Sequence, residues 1–337
     1  MTAHTLDVVC IGNALVDVLA KTEDAFLEAH RIPKGSMTLI DEARAVELYG
    51  AMGPAVEVSG GSAGNTATGV ASLGGKAAFL GKVRDDQLGA IFTHDIRAAG
   101  VAFDVPHAKG GPATGRSMIL VTPDAHRSMN TFLGAAVQFG PEDVNEAQVK
   151  AAAVTYMEGY LWDSPSAKAA FHMAARLAHA ARRKISLTLS DPFLVNRYKG
   201  ELKEFVEKHV DIVFANEEEV CSLYDAADFD AALQAVRAHC EVAALTRSEK
   251  GAVIVAGEEV HVVDAAPVAR VVDTTGAGDL FAAGFLYGIT NGHSLYDSGR
   301  IGALAAAEVI SHVGARPEQS LAKLIAGELA KPRAKRA

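Results

Sequence analysis

The chain has 337 residues, of which 49% are hydrophobic and 22% are charged, and its formal net charge at pH 7 is −9. This length can support a sizeable core, in one large α/β domain or in two domains. An acidic chain lacks the basic stripe typical of nucleic-acid-binding proteins, so we expect no nucleic-acid partner. Any anionic ligand must then be held by local donors.

The three cysteines, Cys10, Cys221 and Cys240, are far apart in the sequence. This spacing indicates neither a zinc site nor a disulfide framework, and it suits a reducing compartment. The first residues show no signal-peptide pattern, and the chain has no run of 18 apolar residues. We therefore expect a cytoplasmic protein without a membrane partner.

The chain begins with two predicted strands, 7–12 and 15–20. Asp17 lies between apolar neighbours in the second strand, where an acid is either exposed at a sheet edge or an acceptor for the hydroxyls of a polyol. A dinucleotide-binding turn is excluded, because Gly12 is not followed by the two further glycines that such a turn requires.

The first glycine motif lies between 57 and 75. A predicted strand leads into Gly60 and Gly61, and a helix of small residues follows. Paired glycines let a backbone approach a ligand closely, and small residues let a helix pack tightly. Asn65 lies in the first turn of this helix, where its amide could bind a sugar hydroxyl; the alternative is a plain, close-packed helix.

The region 101–133 has β character. Alternation over 117–121 and a turn at 122–124 predict a hairpin, which could form a small sheet with the strands near 15–20 and 36–40. Arg127 follows the turn, and it is either a solvated loop charge or a group that faces a phosphate.

From residue 150 onwards, short apolar runs alternate with helical segments. This pattern predicts a mainly parallel sheet covered on both faces, and ligands of such sheets bind at the carboxyl ends of the strands. Four polar residues each follow a predicted strand, so we expect them to meet at one edge: Asp191, Asn216, Thr246 and Asp279.

Three acids follow Asn216 at the start of a predicted helix. Acids are favourable in a first turn because of the helix dipole, which is one sufficient reason for them. Asn216 and Glu219 also share a face, because they are three residues apart, and together they could hold water around Mg²⁺. Both interpretations remain open on the sequence alone.

The second glycine motif, 273–279, reads Asp-Thr-Thr-Gly-Ala-Gly-Asp. The β-branched residues before it predict the end of a strand, and the apolar run after it predicts a helix. Free N–H groups at Gly276, Ala277 and Gly278 would form an anion site at the helix N-terminus. Asp279 could then take a proton from a hydroxyl while the amides hold a phosphoryl group, or it could only cap the helix.

The two glycine motifs, in this order, resemble the signatures of the ribokinase (PfkB-type) carbohydrate kinase family. The stretch 60–65 is similar to the N-terminal signature, 273–279 to the C-terminal one, and 216–219 to the family's N-x-x-E element. The resemblance covers essentially the whole chain. It implies a ribokinase-like three-layer α/β/α core with a mainly parallel sheet, a small β-sheet lid, and ATP-dependent phosphorylation of a primary hydroxyl.

Within the family, the segments 12–17, 126–129 and 187–193 are most similar to the enzymes that phosphorylate adenosine. By the same resemblance, the chain divides into a nucleotide- and substrate-binding core, a lid and a basic tail. The core would comprise 1–13, 46–101 and 134–330, the lid 14–45 and 102–133, and the tail 331–337.

The resemblance also implies the roles of individual residues. The residues that act on the phosphoryl group and on the substrate hydroxyl would be Asp279 as base, Gly276, Ala277 and Gly278 as anion hole, and Arg127. The residues that bind the substrate hydroxyls would be Asp17, Gly60, Gly61 and Asn65. The residues that contact the nucleotide would be Asn216, Thr246, Thr275, Gly276 and Gly278.

Two cation sites are implied as well. Asn216 and Glu219 would order Mg²⁺ through water, with ATP as co-substrate. Asp273 and Thr275 match positions that hold a monovalent cation such as K⁺ in relatives.

The acceptor and the oligomeric state stay open. Asp191 stands where an alanine-like residue is usual in the adenosine-specific pattern, so another nucleoside or a free sugar such as ribose or fructose is an alternative acceptor. The stretches 12–20 and 58–66 contain no cationic side chain, which favours a neutral acceptor over a sugar acid. A catalytically silent nucleoside-binding protein is a further alternative.

Exposed lid strands can pair between subunits, so both a monomer and a homodimer are compatible with the sequence.

Overall fold

The computed structural model describes residues 4–124 and 126–329, so the basic tail predicted at 331–337 lies outside the described residues. The described residues form an eight-stranded sheet and a five-stranded sheet, which we call the large sheet and the small sheet. Within these same ranges, no helix is both long and apolar enough to cross a membrane.

The strands, in chain order, are β1 (Leu6–Ile11), β2 (Leu15–Lys21), β3 (Met37–Leu39), β4 (Ala55–Gly60), β5 (Ala77–Leu80), β6 (Gly115–Val121), β7 (Arg127–Phe132), β8 (Ala152–Glu158), β9 (Lys184–Thr188), β10 (Ile212–Asn216), β11 (Val242–Thr246), β12 (Ala252–Ala256) and β13 (Glu259–Val263).

The α-helices are α1 (Asp24–Ala29), α2 (Glu42–Ala51), α3 (Ser62–Ser72), α4 (Gln87–Ala98), α5 (Glu146–Ala151), α6 (Pro165–Ala180), α7 (Pro192–His209), α8 (Glu217–Tyr224), α9 (Phe229–Arg237), α10 (Ala277–Thr290), α11 (Leu295–Val309) and α12 (Leu321–Leu329).

The large sheet has the strand order β13-β12-β11-β10-β9-β8-β1-β5. Its strands from β11 to β5 are parallel, and β12 and β13 add an antiparallel hairpin at one edge. All residues of β8 are buried, as expected for a strand whose two faces are covered by helices. Helices α3 and α10 contact β1 and β8, and α6 contacts β8 and β9. The predicted α/β/α arrangement with a mainly parallel sheet is confirmed.

The small sheet has the order β3-β7-β6-β2-β4. One of its faces packs on α1 and α2, where Leu27 and Leu48 contact Met118 and Leu120 of β6 in a small apolar core. Asp17 of β2 lies opposite Ser117 of β6, and since successive side chains alternate, both lie on the other face. The small sheet also includes β4, although the sequence analysis assigned the range 46–101, which contains β4, to the core. The division into core and lid remains a prediction.

The predicted strand before the second glycine motif is absent from the described residues. Val271 is 53% exposed, and the N–H of Val272 donates to the carbonyl of Ile310 at the end of α11. β-branched residues favour a strand only where a neighbouring strand is available, and none lies beside this segment. The expectation that Asp279 follows a strand is therefore wrong. Asn216 and Thr246, in contrast, are the last residues of β10 and β11 and are register partners.

Candidate active site

The first turns of α3 and α10 lie side by side, and the close packing of the two helices is the reason. A Cβ at Gly69 would lie 2.6 Å from Cβ of Ala283 and 2.7 Å from Cδ1 of Leu280, so the backbone of α3 approaches α10 as closely as glycine permits. The tight packing predicted for the small-residue helix is observed. It brings the two glycine motifs together.

Asp279 is the third residue of α10, and its side chain contacts α3. The hydroxyl of Ser62 donates to Oδ1 at 2.6 Å, and the amide of Asn65 donates to Oδ2 at 2.9 Å. Burial raises the pKa of Asp279, while these two hydrogen bonds and the charge of Arg316 oppose the rise. A buried carboxylate held by two donors is a suitable acceptor for a hydroxyl proton.

The glycine turn leaves donors free at the N-terminus of α10. Gly276, the N-cap, has a left-handed backbone with φ of 78°, and it supplies no side-chain cap. The N–H of Ala277 was predicted to be free, but it donates to the carbonyl of Thr274 at 3.2 Å, because the turn before the helix closes on itself. No acceptor among the described residues bonds to the N–H of Gly278 or Asp279. Asp279 does not cap its own helix, since its carboxylate is bound by α3. These free N–H groups and the helix dipole favour an anion.

Asp17 faces the same point from the small sheet. A Cβ on Gly60 would overlap the carboxyl group of Asp17, so glycine is the residue that fits beside this acid. Burial raises the pKa of Asp17 to about 6, and the charge of Asp279 adds to the rise, while Arg316 and Arg127 oppose it. Asp17 and Asp279 therefore lie within electrostatic reach of each other.

Gly61 links the small sheet to α3. Its φ is 85°, and a Cβ there would overlap the backbone oxygen of Asn13. Both conditions require glycine at this position. The carbonyl of Gly61 accepts the N–H of Asn65 at 2.9 Å, which starts the helix.

Arg127 reaches from β7 to the second glycine motif. Its Nη1 lies 2.8 Å from Oδ2 of Asp273, and the two side chains are 7% and 6% exposed. The Nε and Nη2 groups of Arg127 are buried without a hydrogen-bond partner. Burial lowers the pKa of Arg127, and the charges of Asp273 and Asp17 oppose this. The side chain thus keeps two donors that an anionic ligand can use.

Asp273 is surrounded by donors. Its Oδ1 accepts the N–H and the hydroxyl of Thr275, at 3.0 and 2.8 Å, and its Oδ2 accepts the N–H of Gly314 at 3.0 Å in addition to Arg127. A monovalent cation needs free oxygen atoms, whereas these are occupied by N–H and O–H groups and by a guanidinium. The side-chain oxygens of Asp273 and Thr275 are thus engaged by protein groups, and the K⁺ site predicted at these residues stays a prediction.

Asn216 and Glu219 form a reciprocal cap at the N-terminus of α8. The N–H of Glu219 donates to Oδ1 of Asn216 at 2.8 Å, and Glu219 accepts the backbone N–H and the side-chain amide of Asn216 at 2.9 and 2.8 Å. Both residues thus have a local structural role in α8, and their predicted role towards Mg²⁺ stays a prediction. Burial raises the pKa of Glu219 to about 7, with the charges of Asp191 and Glu218 adding to it.

The negative charges of Asp191, Glu218 and Glu219 are relevant to the predicted Mg²⁺ site. A carboxylate that lies among other negative charges is stabilised by a nearby cation, so Glu219 fits a magnesium ion held through water. Direct ligation by a protein cage is not supported, because the described residues contain no group of three or more His, Cys, Asp or Glu side chains placed to hold a metal ion.

The predicted residues form two groups along one edge of the large sheet. One group surrounds Asp279, near the end of β1, and the other contains Asn216, Glu219 and Thr246, at the ends of β10 and β11. The order of strands separates β10 from β1 by three steps, or about 14 Å. The Thr246 hydroxyl donates to the carbonyl of Ala215 at 3.5 Å.

Tyr160, which the sequence analysis did not select, lies between these two groups. Burial raises its pKa, and the charges of Asp191, Asp279, Glu219 and Glu158 all add to that rise. Glu158 at the end of β8, Asp191 and Glu219 at the starts of α7 and α8, and Asp279 of α10 therefore all lie within electrostatic reach of one phenol. No motif in the sequence marks this residue.

Glu158 was also missed. It ends β8, is 1% exposed, and accepts the side-chain amide of Asn13 at 2.7 Å and the N–H of Ala63 at 2.9 Å. It thereby fixes the N-terminus of α3, whose Ser62 and Asn65 donate to the Asp279 carboxylate. Burial raises its pKa to about 7, these hydrogen bonds oppose the rise, and the charge of Asp279 adds to it. An acid at the end of an apolar strand was the available signal.

Arg316 is the third residue that was missed. It lies between α11 and α12, and its guanidinium donates to the carbonyls of Ser59 and Gly64 at 2.6 and 3.0 Å. The charges of Asp17, Asp95 and Asp279 oppose the effect of burial, which lowers the pKa of Arg316 to about 10. The sequence around it carries no signal, because its partners are more than 200 residues away along the chain.

Comparisons with known proteins cover nearly the whole chain. The family model described as pfkB family carbohydrate kinase matches residues 5–321. The crystal structure of adenosine kinase from Sinorhizobium meliloti is 56% identical, with a TM-score of 0.89, and the match covers 96% of this chain and 99% of that one. The crystal structure of a probable sugar kinase from Rhizobium etli is 54% identical, with a TM-score of 0.90 and the same coverage. Adenosine kinase of Saccharomyces cerevisiae is 28% identical over 336 residues, covering 92% of this chain and 96% of the yeast protein.

Proposed function

The chain belongs to the pfkB family of carbohydrate kinases and is a phosphotransferase with an alcohol acceptor, and on this basis we propose that it transfers the γ-phosphoryl group of ATP to the 5′-hydroxyl of a nucleoside, adenosine in particular. The names of the Sinorhizobium meliloti and yeast relatives support this acceptor. The observation that carries the proposal is the Asp279 carboxylate, which lies beside free N–H groups at the start of α10.

The reaction proposed for this site is a direct, in-line transfer. The 5′-hydroxyl lies against Asp279, which accepts its proton as the oxygen attacks the γ-phosphorus. The bond from the γ-phosphorus to the bridging oxygen breaks, and ADP leaves. The free N–H groups of Gly278 and Asp279 stabilise the charge that develops on the transferred group. Positioning and charge stabilisation are the main demands of phosphoryl transfer, and both are available here.

The substrate hydroxyls are proposed to bind Asp17, Gly60, Gly61 and Asn65. The Oδ1 atom of Asn65 supports this, because it is buried and has no hydrogen-bond partner. It can accept a ribose hydroxyl while its amide remains bonded to Asp279. Asp17, on the face of the small sheet that is opposite to α1 and α2, can accept a second hydroxyl.

The nucleotide is proposed to lie along the edge of the large sheet, with Asn216, Thr246 and Thr275 among its contacts. The free Nε and Nη2 groups of Arg127 can bind its phosphates. Mg²⁺ held through water at Asn216 and Glu219 would neutralise phosphate charge. The small sheet serves as the lid that excludes water from the transfer. In support, Arg127 of the small sheet contacts Asp273 of the second glycine motif.

An ADP-release assay with Mg·ATP tests the proposal. The purified protein is offered adenosine, inosine, guanosine, ribose and fructose, each with and without potassium. We expect adenosine to give the highest kcat/KM and AMP as the product. Turnover with sugars but not with nucleosides would contradict the proposed acceptor, and no ADP release with any alcohol would contradict the kinase function.

A sugar kinase of the same family is the second candidate. The Rhizobium etli structure carries the name of a probable sugar kinase at 54% identity. The charges around Asp17 also bear on this alternative. No cation was expected near the substrate from the stretches 12–20 and 58–66, but Arg127 and Arg316 approach Asp17 from other parts of the chain. An acidic sugar is therefore a more suitable acceptor than the sequence indicated, and a keto-deoxy sugar acid is added to the screen.

A further inference from the structure

Arg316 is inserted beside the turn that joins the small sheet to α3. Its Nη2 donates to the carbonyl of Ser59 at 2.6 Å and to the hydroxyl of Ser59 at 3.0 Å, and its Nη1 donates to the carbonyl of Gly64 at 3.0 Å. Ser59 lies in β4 and Gly64 in the first turn of α3. One guanidinium is thus bonded to both sides of the Gly60–Gly61 turn.

The network continues to α4. Asp95 accepts the N–H of Ser59 at 2.7 Å and the hydroxyl of Ser59 at 2.5 Å. The hydroxyl of Ser59 therefore donates to an acid and accepts from Arg316 at the same time. This chain of hydrogen bonds holds the last residues of β4 at a defined distance from α3, whose first turn carries Ser62 and Asn65.

The charges around Asp279 come from several elements. Ionisable groups whose charge interacts with Asp279 are Asp17 of β2, Tyr156 and Glu158 of β8, Tyr160 in the following turn, and Arg316. Arg316 is the cation in this set. Its charge lowers the pKa of both Asp279 and Asp17, which burial raises. Burial lowers the pKa of Arg316 itself to about 10, so the guanidinium remains charged at neutral pH.

We propose that Arg316 is a positioning residue of the phosphoryl-transfer site, which fixes Ser59 and Gly64 across the turn and supplies the positive charge that acts on Asp279. The inference rests on the proposed role of Asp279 as the base. Arg316 needs no contact with substrate for this role. It acts through its charge on Asp279 and through the hydrogen bonds that orient the first turn of α3.

Two substitutions separate the charge from the hydrogen-bond geometry. Arg316→Gln removes the charge, and Arg316→Lys keeps a charge but cannot form the same two-sided set of bonds. Arg300→Gln is the matched control, because Arg300 is an arginine of α11 that pairs with Asp297 of its own helix. Steady-state kcat and KM are measured by ADP release between pH 5 and pH 9, and folding is checked by circular dichroism.

In Arg316→Gln we expect the acid limb of kcat/KM to move to higher pH by about one pH unit, because the pKa of Asp279 rises when the nearby positive charge is lost. At a pH on the acid limb, activity then falls about tenfold, with a smaller loss at pH 9. Arg316→Lys should restore the acid limb but keep a raised KM. Arg300→Gln should leave both unchanged.

An unshifted acid limb in a folded Arg316→Gln variant would overturn the proposal, as would an equal loss at every pH in both variants. If Arg316→Gln does not fold, Arg316→Lys decides: a wild-type acid limb with a raised KM supports the proposal, and a displaced limb overturns it. Failure of the wild-type protein to release ADP is seen before any variant is made. It would remove the proposed function itself, and the role of Arg316 with it.

Discussion

Glu219 and Asp279 occupy the same position in two different helices, but their partners come from different places. Each acid is the third residue of its helix, α8 or α10. Glu219 accepts both of its hydrogen bonds from Asn216, the N-cap of its own helix. Asp279 accepts its two bonds from Ser62 and Asn65 of α3, more than 200 residues away.

The N-cap residue explains this difference. Asn216 offers a side-chain amide and a backbone N–H in the geometry of a capping box, so the acid three residues later is bound locally. Gly276 has no side chain and a left-handed backbone, so it cannot form such a box. The carboxylate of Asp279 is therefore free to bind another helix, and N–H groups at the start of α10 stay free for an anion. An acid in a first turn becomes a candidate catalyst when its own helix does not use it.

Replacing Asp279 should give the largest effect in this comparison. Asp279→Asn removes the proton acceptor while keeping the size of the side chain, so we expect kcat to fall by about 10²- to 10⁴-fold with little change in KM. The measurement is steady-state ADP release with the best acceptor. Asp228→Asn, at the N-cap of α9, is the control for loss of an acid at a helix start, and it should retain full activity. Near-normal turnover by Asp279→Asn would show that Asp279 is not the base.

A smaller effect is expected at Glu219, and it should appear in the metal dependence. Gln at this position preserves the capping box, so α8 stays folded. If Glu219 orders Mg²⁺ through water, Glu219→Gln should raise the Mg²⁺ concentration needed for half-maximal rate by about 10-fold. ADP release is measured against Mg²⁺ concentration at fixed ATP. If Glu219→Gln had a kcat at saturating Mg²⁺ as low as that of Asp279→Asn, the role of Glu219 in ordering Mg²⁺ would be contradicted, because Glu219 would then act in the chemical step.

The donors from α3 can be tested through pH. Ser62→Ala removes one hydrogen bond to the Asp279 carboxylate, and since that bond lowers the pKa, the pKa should rise. The acid limb of kcat/KM then moves to higher pH, by about one pH unit, and activity above neutral pH is retained. Ser222→Ala on α8, whose hydroxyl donates to Asn196, is the matched control and should leave the profile unchanged. A profile that shifts to lower pH would contradict the role of Ser62.

The smallest effect on activity is expected from the packing of α3 on α10. In Gly69→Ala the new methyl group meets Ala283 and Leu280, so the free energy of unfolding should fall by about 1–3 kcal/mol. Gly200→Ala in α7 is the control, because a Cβ there meets no atom within 4 Å, and it should be neutral or stabilising. Urea unfolding measures both. Equal stability of the two variants would show that α3 is not tightly held against α10.

Much of the fold could be predicted from local patterns. The apolar runs predicted as strands after residue 150 include β8 to β12, and the helix predicted after Asn216 is α8. The small-residue helix after Gly60–Gly61 and the helix after 273–279 are also present. Within the candidate site, the spacing of Asn216 and Glu219 predicted that their side chains lie on one face of the helix, and the two side chains are in contact. These features depend on backbone propensity and on hydrogen bonds between residues a few positions apart, which a short window of sequence contains.

The remaining features were decided by the tertiary structure. The predicted strand at 271–272 was lost because no strand lies beside it, and the N–H of Val272 bonds to the end of α11 instead. The pairing of Arg127 with Asp273, and the placement of Arg316 beside Ser59 and Gly64, join segments that are far apart in the chain. The sequence by itself determined which residues could carry charge and where helices begin. Which donors surround Asp279 was settled by helix packing, because burial and long-range hydrogen bonds depend on what the rest of the chain places nearby.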